Sequence, residues 1–586
     1  MGAQDIFCTF QVLIKKALLQ VAGKSGQQVL VSDGAVDVPK DLKFGDMSSN
    51  IAMVFAKKIG IPPRELAEDI AAILRNDDRI LSVNIAGPGF INWFLRPEYV
   101  KKRLAAIIVS DDVGDKKFGF QNIGKGKKVN IEYVSANPTG PLHAGHARGA
   151  VVGDVLANML RSVGYDVTRE YYINDAGNQI NMLARSVYHR YCEQLGRDIG
   201  ALPSDCYSGE YVSEIAQALV SKYGNKFLDQ NENEWASLFK QFSVQNQMAI
   251  IKRDLADLGV HHDIFTSESS LIEKGLVKEM IKFLQDKGFV YKGVLTPPKG
   301  KVVDDWEPRE QTLFKSTAFG DEIDRPLLKS DGFWTYFASD IAYHRDKFCR
   351  GYDILIDFWG ADHGGYVKRM EAAVEAIANK KLKVKICQLV KFIRDGKDVK
   401  MSKRAGAFIT LRDVLDAVGR DVIRFIMLTR RDDVVLDFDF TQVVEKSRDN
   451  PVFYIQYAHA RICSVFRQYK EFFGVDFDVD AAKNANLSLL SSEEELGQIK
   501  LLLRWPRLLK TAVLALEPHK IVFYLQEVAV GLHVLWNAGK NNLALRFINP
   551  NDKVETAARL ALLYATKTVV SLGFEIIGIE PVEELR

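Results

Sequence analysis

A strand, a loop and a helix follow one another directly in the first third of the chain, and this succession constrains the fold more than any other feature. Val129 to Val134 is a short β-rich run, and Ser135 to Pro141 after it is rich in proline and glycine. A helical apolar pattern then begins near His143 and continues to about Val163. A strand that leads through such a loop into a helix opens a nucleotide-binding α/β unit. The sequence therefore predicts an α/β fold with a Rossmann-type parallel sheet.

The chain has 586 residues, which corresponds to about four units of roughly 150 residues. We expect a small α/β N-terminal domain at residues 1–115, a catalytic domain at 116–448 and an all-helical domain at 449–586. A long stretch of mixed character, at about 195–330, indicates insertions into the catalytic domain. In the helical domain, Glu493 to Leu516 carries one continuous helical pattern, and Ser492 and Glu495 have the spacing of a capping box.

Charge and cysteine content bear on the class of protein. The chain carries 78 Lys and Arg against 75 Asp and Glu, and a net charge of +3 neither indicates nor excludes nucleic-acid binding. The six cysteines include no CxxC pair, so we expect neither a disulfide framework nor a zinc site built on close pairs. We find no apolar run of the roughly 18 residues that a membrane span needs, and no signal-peptide pattern. These observations favour a cytoplasmic protein without membrane contact.

The tetrapeptide His143-Ala144-Gly145-His146 stands where the helix of the α/β unit is predicted to begin. Two histidines three residues apart share one face of a helix, and the first turn of a helix attracts phosphate through its free N–H groups. Gly145 has no side chain, so a flat ring such as adenine could approach the backbone closely. Two ordinary surface histidines would give the same tetrapeptide, and the motif gains weight from the strand and loop before it.

A second motif, Lys400-Met401-Ser402-Lys403-Arg404, is followed by Ala405 and Gly406. Most runs of like charge are solvated loops, and this is the simplest interpretation of the segment alone. Three cations within five residues beside a glycine could instead hold a pyrophosphate leaving group, because lysine supplies a flexible point charge.

Together, the two motifs resemble the paired signatures of class I aminoacyl-tRNA synthetases. The residues around them resemble the arginyl-tRNA synthetases, and most closely the bacterial ones. The segments that carry this resemblance are Glu132–His146, Tyr172–Gln179, Trp359–His363 and Tyr454–Arg461. It extends over essentially the whole chain, because Gly45–Ala56 is similar to the N-terminal domain of that family and the helical C-terminus to its anticodon-binding domain.

The resemblance implies an enzyme that makes arginyl-adenylate from L-arginine and ATP and transfers the arginyl group to the 3′ end of tRNA(Arg), releasing AMP and pyrophosphate. Because the side chain of arginine is a planar cation with five donors, its pocket should offer acidic acceptors. The positions that the resemblance assigns to the arginine pocket are Glu132, Asn137, His143, Tyr336 and Asp340. Glu132 and Asn137 are expected near the α-amino end, but which carboxylate meets the guanidinium stays open.

For ATP, the resemblance assigns phosphate stabilisation to His143 and His146, contact with adenine to Gly145, and contact with pyrophosphate in the transition state to Lys403. His143, His146 and Lys403 are therefore the expected catalytic residues. The remaining expected members of the nucleotide site are Gly360, Asp362, His363, Lys400, Met401 and Ser402. Mg²⁺ is expected to accompany ATP, and neither a permanently bound cofactor nor a structural metal is expected.

The resemblance also implies that arginine is activated only when tRNA is bound, and that the protein is a monomer. In the C-terminal helices, Trp536, Asn537 and Lys540 combine aromatic, polar and basic groups, which suits splayed anticodon bases. Ordinary core packing explains each of these three residues better when the residue is taken singly.

Three other functions compete with this interpretation. Another class I synthetase, such as the cysteinyl one, would show zinc-ligating cysteines near the site, and the scattered cysteines do not have that arrangement. A small nucleotidyltransferase can share the histidine motif, but it would not need a helical C-terminal domain of this size. A catalytically inactive paralogue that only binds tRNA would not need to retain His143, His146, Asp340 and Lys403.

Overall fold

The structure of the chain is a computed structural model. It describes residues 5–24, 36–110, 117–295, 309–329, 332–394, 396–399, 409–445 and 450–585. These residues form two compact units. One contains the described residues up to Asn122 together with those from Asn450 onward, and the other spans Ile123–Glu445.

The N-terminal part of the first unit combines helices with a small antiparallel sheet. Its elements are α1 (Ile6–Lys24), β1 (Met47–Ser49), α2 (Ile51–Ile59), α3 (Pro63–Leu74), β2 (Ile80–Ala86), β3 (Phe90–Leu95) and α4 (Pro97–Ser110). The strand order is β1-β3-β2, and both pairings are antiparallel. The hairpin turns at Gly87 and Gly89, which have positive φ values of 51° and 142° that favour glycine.

The second unit is built on a five-stranded parallel sheet. Its strands are β4 (Lys128–Glu132), β5 (Asp166–Ile173), β6 (Ile264–Ser267), β10 (Ile354–Gly360) and β11 (Leu382–Cys387), in the order β11-β10-β4-β5-β6. The chain leaves β4 in one direction to build β5 and β6, and it later returns to the other side of β4 to build β10 and β11. The sheet therefore has its topological switch point between β4 and β10, where open α/β sheets bind ligands.

The remaining elements of this unit cover or extend the sheet. Its helices are α5 (His146–Ser162), α6 (Asn178–Gln194), α7 (Glu210–Tyr223), α8 (Glu232–Asp257), α9 (Glu268–Glu273), α10 (Leu276–Asp286), α11 (Tyr336–Cys349), α12 (Val367–Ala378), α13 (Leu411–Val418), α14 (Arg420–Ile426) and α15 (Phe440–Val444). Two small sheets contain β7 (Val290–Gly293), β8 (Gln311–Phe314) and β9 (Arg325–Pro326), and β12 (Val390–Arg394), β13 (Lys397–Asp398) and β14 (Leu436–Asp439). The predicted α/β fold with a Rossmann-type parallel sheet is confirmed.

The described C-terminal residues are helical. Their helices are α16 (Pro451–Phe473), α17 (Val479–Lys483), α18 (Glu493–Leu502), α19 (Trp505–Ala515), α20 (His519–Asn541) and α21 (Lys553–Ile577). The capping box of Ser492 and Glu495 is present. The prediction of one helix from Glu493 to Leu516 was wrong, because Pro506 stands in the first turn of α19 and has no N–H group with which to continue α18.

The two ends of the chain pack against each other within the first unit. Helix α4 contacts both α18 and α21. The buried indole of Trp505 donates a hydrogen bond of 3.0 Å to the carbonyl oxygen of Phe118, and Lys500 pairs with Asp46 at 2.8 Å. The N-terminal residues thus bury part of the helical C-terminal segment, a packing that the linear order of the sequence does not reveal.

Among the described residues, three helical segments are long and apolar enough to cross a membrane, namely Ile6–Gly23, His519–Asn541 and Lys553–Ile577. The expectation that no segment meets this criterion was wrong. A helical window qualifies although scattered polar and charged residues interrupt its apolar run. In the third segment, 78 % of the qualifying window is buried inside the protein.

Candidate active site

A cavity of about 470 Å³ lies at the carboxyl ends of β4 and β10, at the switch point of the parallel sheet. Polar and aromatic side chains from several elements line it. The lining residues include Glu132, Ser135, Asn137, Tyr172, Asn174, Gln179, Glu268, Tyr336, Asp340, Tyr343, His344, Asp357, Trp359, Gly360, His363 and Tyr366. Position and lining together make this cavity the candidate substrate site.

Two carboxylates give one wall of the cavity its acidic character. Glu268 begins α9 and is only 3 % exposed, and its Oε2 has no hydrogen-bond partner among the described residues. Asp340, in the middle of α11, accepts a hydrogen bond of 2.6 Å from the hydroxyl of Tyr366. Burial raises the pKa of Glu268 to about 7 and the pKa of Asp340 to about 6. Repulsion from Asp340 adds to the rise at Glu268, and repulsion from Glu132 and Asp357 adds to the rise at Asp340. Two partly paired acids in one cavity are suited to a cationic ligand.

Aromatic rings provide flat surfaces beside these acids. The rings of Tyr172 and Tyr343 stack at a centroid distance of 4.5 Å. Tyr336 begins α11 and is 53 % exposed, so its ring is open to a ligand. The ring of Tyr366 lies 5.9 Å from that of Trp359. A guanidinium can stack on such faces while its N–H groups point toward carboxylates.

An ion-pair cluster of Glu132, His344, Lys347 and Asp357, called the floor cluster, lies at the floor of the cavity, and all of its members except Lys347 line the cavity. The Lys347 ammonium bonds Glu132 Oε2 at 2.6 Å and Asp357 Oδ1 at 3.3 Å. His344 Nε2 lies 2.8 Å from the other oxygen of Asp357. Although burial alone would raise it, the charges of Lys347 and His344 lower the pKa of Asp357 to about 2. Burial raises the pKa of Glu132, although the charge of Lys347 opposes this rise. Both carboxylates of the floor cluster are nevertheless paired with cations, whereas Glu268 and Asp340 form no ion pair with a described residue.

The structure brings most of the sequence-predicted arginine pocket together. Glu132, Asn137, Tyr336 and Asp340 all line the cavity, and the Asn137 amide donates to Gln179 Oε1 at 2.9 Å. Of the predicted nucleotide residues, Gly360 and His363 also line it. Asp362 lies beside His363 at 3.5 Å but is not among the lining residues.

His143, Gly145 and His146 are not among the lining residues of this cavity. Helix α5 begins at His146, so this histidine lies at the positive end of the helix dipole. The prediction that both histidines lie in the first helical turn was wrong for His143. The backbone of residues 142–144 pairs instead with the segment that precedes α13, through bonds such as that from the Ala144 N–H to the Ile409 carbonyl at 2.9 Å. The two imidazole rings nevertheless stack, with a centroid distance of 3.6 Å.

The geometry at His146 fixes the role of its ring nitrogens. The backbone N–H of His143 donates to His146 Nδ1 at 3.1 Å, so Nδ1 acts as an acceptor. A neutral imidazole that accepts at Nδ1 carries its proton on Nε2. His146 can therefore donate from Nε2. A side chain at Gly145 would meet the His143 ring at 2.9 Å, which explains the need for glycine there.

Lys400, Met401, Ser402 and Lys403 lie outside the described residues. The residues that follow this segment are described. Leu411 N–H donates to the Leu142 carbonyl at 2.7 Å, and His143 forms a β-bridge with Thr410. Residues 409–411, which follow the second motif in the sequence, therefore lie beside the first motif.

Sequence analysis missed six residues that line the cavity, namely Tyr172, Glu268, Tyr343, His344, Asp357 and Tyr366. It also missed Lys347, which contacts the lining residue Glu132. For two of them a signal was present. His344 and Lys347 follow Asp340 at four and seven residues in α11, a spacing that places all three on one helix face. Glu268 follows a short strand, and nothing local distinguishes it from a surface acid.

The three anticodon candidates lie on α20 of the other unit. Trp536 is partly buried, and the Arg461 guanidinium stands 4.5 Å from its ring centroid. Asn537 and Lys540 are exposed. Tyr454 and Tyr457 of α16 approach the ring of His533 on α20 at 4.5 and 6.0 Å. Helices α16 and α20 thus present aromatic and basic groups on one surface.

Comparison with known proteins assigns each part of the chain. The family model described as tRNA synthetases class I (R), catalytic domain, matches residues 107–465. The model of the arginyl tRNA synthetase N terminal domain matches residues 9–95, and that of the DALR anticodon binding domain matches 455–585. The catalytic model covers more than half of the chain and defines the class, that of the class I aminoacyl-tRNA synthetases.

Relatives narrow the class further. Proteins named arginine–tRNA ligase from Parvibaculum lavamentivorans and Roseobacter denitrificans are each 50 % identical over 586 residues, which is 99 % of this chain and 100 % of theirs. The chain belongs to the arginyl-tRNA synthetase family. The predicted family, class and ligase activity are confirmed, and the comparisons favour them over the three competing functions.

Solved structures agree on the fold. The arginyl-tRNA synthetase of Thermus thermophilus superposes with a TM-score of 0.71 at 18 % identity, covering 97 % of this chain and 99 % of its own. That of Plasmodium falciparum superposes with a TM-score of 0.73 at 16 % identity, covering 99 % of both chains.

Proposed function

We propose that the cavity binds L-arginine and activates it with ATP, and that the arginyl group then passes to the 3′ end of tRNA(Arg). The observation that carries the proposal is the pair of carboxylates Glu268 and Asp340, which line the cavity beside tyrosine rings at the switch point of the sheet. Of the two, Glu268 has an oxygen without a hydrogen-bond partner among the described residues. A long cation with a planar head satisfies both the charge and the shape of such a site.

Glu268 and Asp340 are the proposed partners of the guanidinium, with the hydroxyl of Tyr336 as a further acceptor. The reason is electrostatic: the ammonium of Lys347 already pairs with Glu132, whereas Glu268 and Asp340 form no ion pair with a described residue and so lack a cation. Glu132 and Asn137 are left for the α-amino end, and His143 is proposed beside the carboxyl end.

The proposed ATP site lies next to this pocket. The arginine carboxylate oxygen would attack the α-phosphorus of ATP, and the bond from that phosphorus to pyrophosphate would break. His146, which can donate from Nε2, and His143 are proposed to stabilise charge on the phosphates, with Gly145 against adenine. Gly360, Asp362 and His363 would complete the nucleotide contacts. Mg²⁺ would enter as the MgATP substrate.

The second motif is proposed to meet the pyrophosphate. The bonds of Thr410 and Leu411 to His143 and Leu142 support a location of Lys400–Lys403 near the histidines. In the second step, a terminal ribose hydroxyl of tRNA would attack the adenylate carbonyl, and AMP would leave. Neither step needs a covalent enzyme intermediate, so positioning and charge stabilisation are the proposed sources of rate enhancement.

We further propose that residues 1–115 and 449–586 bind tRNA(Arg), that residues 116–448 carry the chemistry, and that the protein acts as a cytoplasmic monomer without membrane contact. The anticodon candidates are Trp536, Asn537 and Lys540, supported by the aromatic and basic surface of α16 and α20.

Trp536→Ala should raise the Michaelis constant for tRNA(Arg) by about tenfold, because stacking of one base on an aromatic ring contributes about 1–3 kcal/mol. Aminoacylation kinetics with varied tRNA would measure the effect. Phe472→Ala is the matched control, since Phe472 is an exposed aromatic residue at the end of α16. Equal tRNA constants for Trp536→Ala and the control would remove Trp536 from the proposed anticodon surface.

Arginine affinity should fall as the solution becomes more acidic. A carboxyl group whose pKa is raised keeps its proton at a higher pH, and arginine can pair only with the ionised form. With pKa values of about 7 for Glu268 and about 6 for Asp340, the dissociation constant should rise below pH 7 and more steeply below pH 6. Below its pKa, each carboxyl group that must lose a proton before arginine binds should raise the dissociation constant about tenfold per pH unit.

Calorimetric titration of arginine from about pH 8 to about pH 5.5 would measure this dependence, since the reference pKa values of the acids lie below that window. Glu268→Gln should abolish the upper inflection and leave the lower one. A constant affinity over the window would show that neither carboxyl group meets arginine.

The proposed function is tested by ATP–pyrophosphate exchange with each amino acid, with and without tRNA(Arg). We expect that arginine is the one amino acid that supports exchange, and that it does so only when tRNA(Arg) is present. Exchange with another amino acid at a comparable rate would overturn the substrate assignment, and tRNA-independent exchange would overturn only the tRNA requirement.

A further inference from the structure

Two carboxylates of the floor cluster are forced together by the sheet itself. Glu132 ends β4 and is the register partner of Asp357 on the parallel neighbour β10. Both side chains are buried, with exposed fractions of 7 % and 0 %. Two adjacent buried carboxylates repel each other and favour protonation unless cations compensate them.

Lys347 supplies the first compensating cation. It has no solvent exposure, and its ammonium bridges Glu132 and Asp357 from α11. The other carboxylate oxygen of Glu132 accepts a hydrogen bond of 3.0 Å from the Ser135 hydroxyl. A carboxylate held at both oxygens has a fixed orientation, and its remaining lone pairs can still accept from a ligand.

His344 supplies the second cation. Its Nδ1 lies 2.7 Å from the carbonyl oxygen of Asp340, which can only accept, so Nδ1 carries a proton. Its Nε2 faces the ionised carboxylate of Asp357 at 2.8 Å, so Nε2 carries a proton as well. An imidazole with donors at both nitrogens is an imidazolium. His344 therefore balances Asp357, and Lys347 is left to act mainly on Glu132.

We propose that Lys347 is a positioning residue, which holds the carboxylate of Glu132 toward the α-ammonium group of bound arginine. His344 leaves Lys347 available for this role by neutralising Asp357. The proposal rests on the proposed function and adds to it a residue that does not line the cavity. If Lys347 acts in this way, its loss impairs recognition of one end of the substrate only. A purely structural role would impair both ends together.

The test uses two ligands that differ only at the α-amino group. Arginine carries this group, and 5-guanidinovalerate lacks it while keeping the guanidinium and the carboxylate. In tRNA-dependent exchange by the full chain, Lys347→Met should raise the Michaelis constant for arginine by about tenfold or more. The inhibition constant of 5-guanidinovalerate should stay within about twofold. Equal losses for both ligands, or no loss for arginine, would overturn the proposal.

Lys385→Met is the matched control, because Lys385 forms a partly buried pair of 2.7 Å with Asp432 outside the cavity lining. It should change neither constant by more than about twofold. In a Glu132→Gln background, Lys347→Met should have no further effect on arginine, since a residue that acts through Glu132 cannot be felt without it. An additional loss of the full size in that background would also contradict the proposal.

Thermal unfolding would show whether Lys347→Met folds. If it does not, Lys347→Arg, which keeps the positive charge, provides a second variant for the same test. With its larger head group, Lys347→Arg should shift the Glu132 carboxylate and weaken arginine by about threefold or more, again with 5-guanidinovalerate little changed. A loss shared by both ligands would count against the positioning role. Failure of the wild-type chain to activate arginine would instead refute the proposed function itself.

Discussion

Asp340→Asn should raise the Michaelis constant for arginine by about 10²–10³-fold, since truncating one partner of a desolvated charged hydrogen bond costs about 2–5 kcal/mol. The substitution removes a negative charge from the acidic wall and replaces an acceptor of the Tyr366 hydroxyl by an amide. It should also narrow the preference for arginine over lysine. A planar fork satisfies two separated acceptors, whereas an ammonium leaves one of them unpaired. Tyr336→Phe should act in the same direction but more mildly.

Exchange kinetics with arginine and with lysine would measure both effects. Asp346→Asn is the matched control, because Asp346 lies on the same helix and pairs with Arg350 at 2.9 Å instead of lining the cavity. If Asp340→Asn leaves the Michaelis constant and the discrimination ratio intact, the orientation of arginine is reversed and Glu132 becomes its guanidinium partner.

Lys403→Ala should slow adenylate formation by about 10²–10³-fold, the usual effect of removing one donor that stabilises developing charge. The Michaelis constant for arginine should change little, because a contact made mainly in the transition state leaves ground-state binding intact. Rapid-quench measurement of adenylate formation in the presence of tRNA would separate the two constants.

Lys397→Ala provides the control for Lys403→Ala. Lys397 is an exposed cation of β13, a few residues before the second motif. Its loss should leave the rate constant within about twofold of the wild type. A Lys403→Ala enzyme that forms adenylate at the wild-type rate would show that this lysine makes no contact with pyrophosphate.

The fold was predictable to the extent that local patterns determine it. The β-rich run before His143 and the loop of prolines and glycines locate the first strand and helix of a nucleotide-binding unit, and β4 and α5 form there. The break between α18 and α19 has a local cause, Pro506, but the apolar pattern continues across this residue and indicated a single helix. The packing of α4 on α18 and α21 joins residues that are hundreds of positions apart, and no local pattern encodes it.

The candidate site also contains residues that the sequence predicted and residues that only the tertiary structure brings together. Glu132, Tyr336 and Asp340 were predicted by resemblance to the family, and all three line the cavity. Glu268 was not, because its significance comes from burial opposite Asp340, which only the tertiary structure creates. For His143 the pattern misled, since pairing with Thr410 overrides the helix that the apolar spacing indicates.

A crystal structure of the chain with L-arginine would test the central proposal most directly. We expect the guanidinium within hydrogen-bond distance of both Glu268 and Asp340, and the α-ammonium group beside the carboxylate of Glu132. The opposite orientation, with the guanidinium at Glu132 and the α-ammonium group at Asp340, would contradict the proposed recognition of arginine, and so would arginine bound outside this cavity.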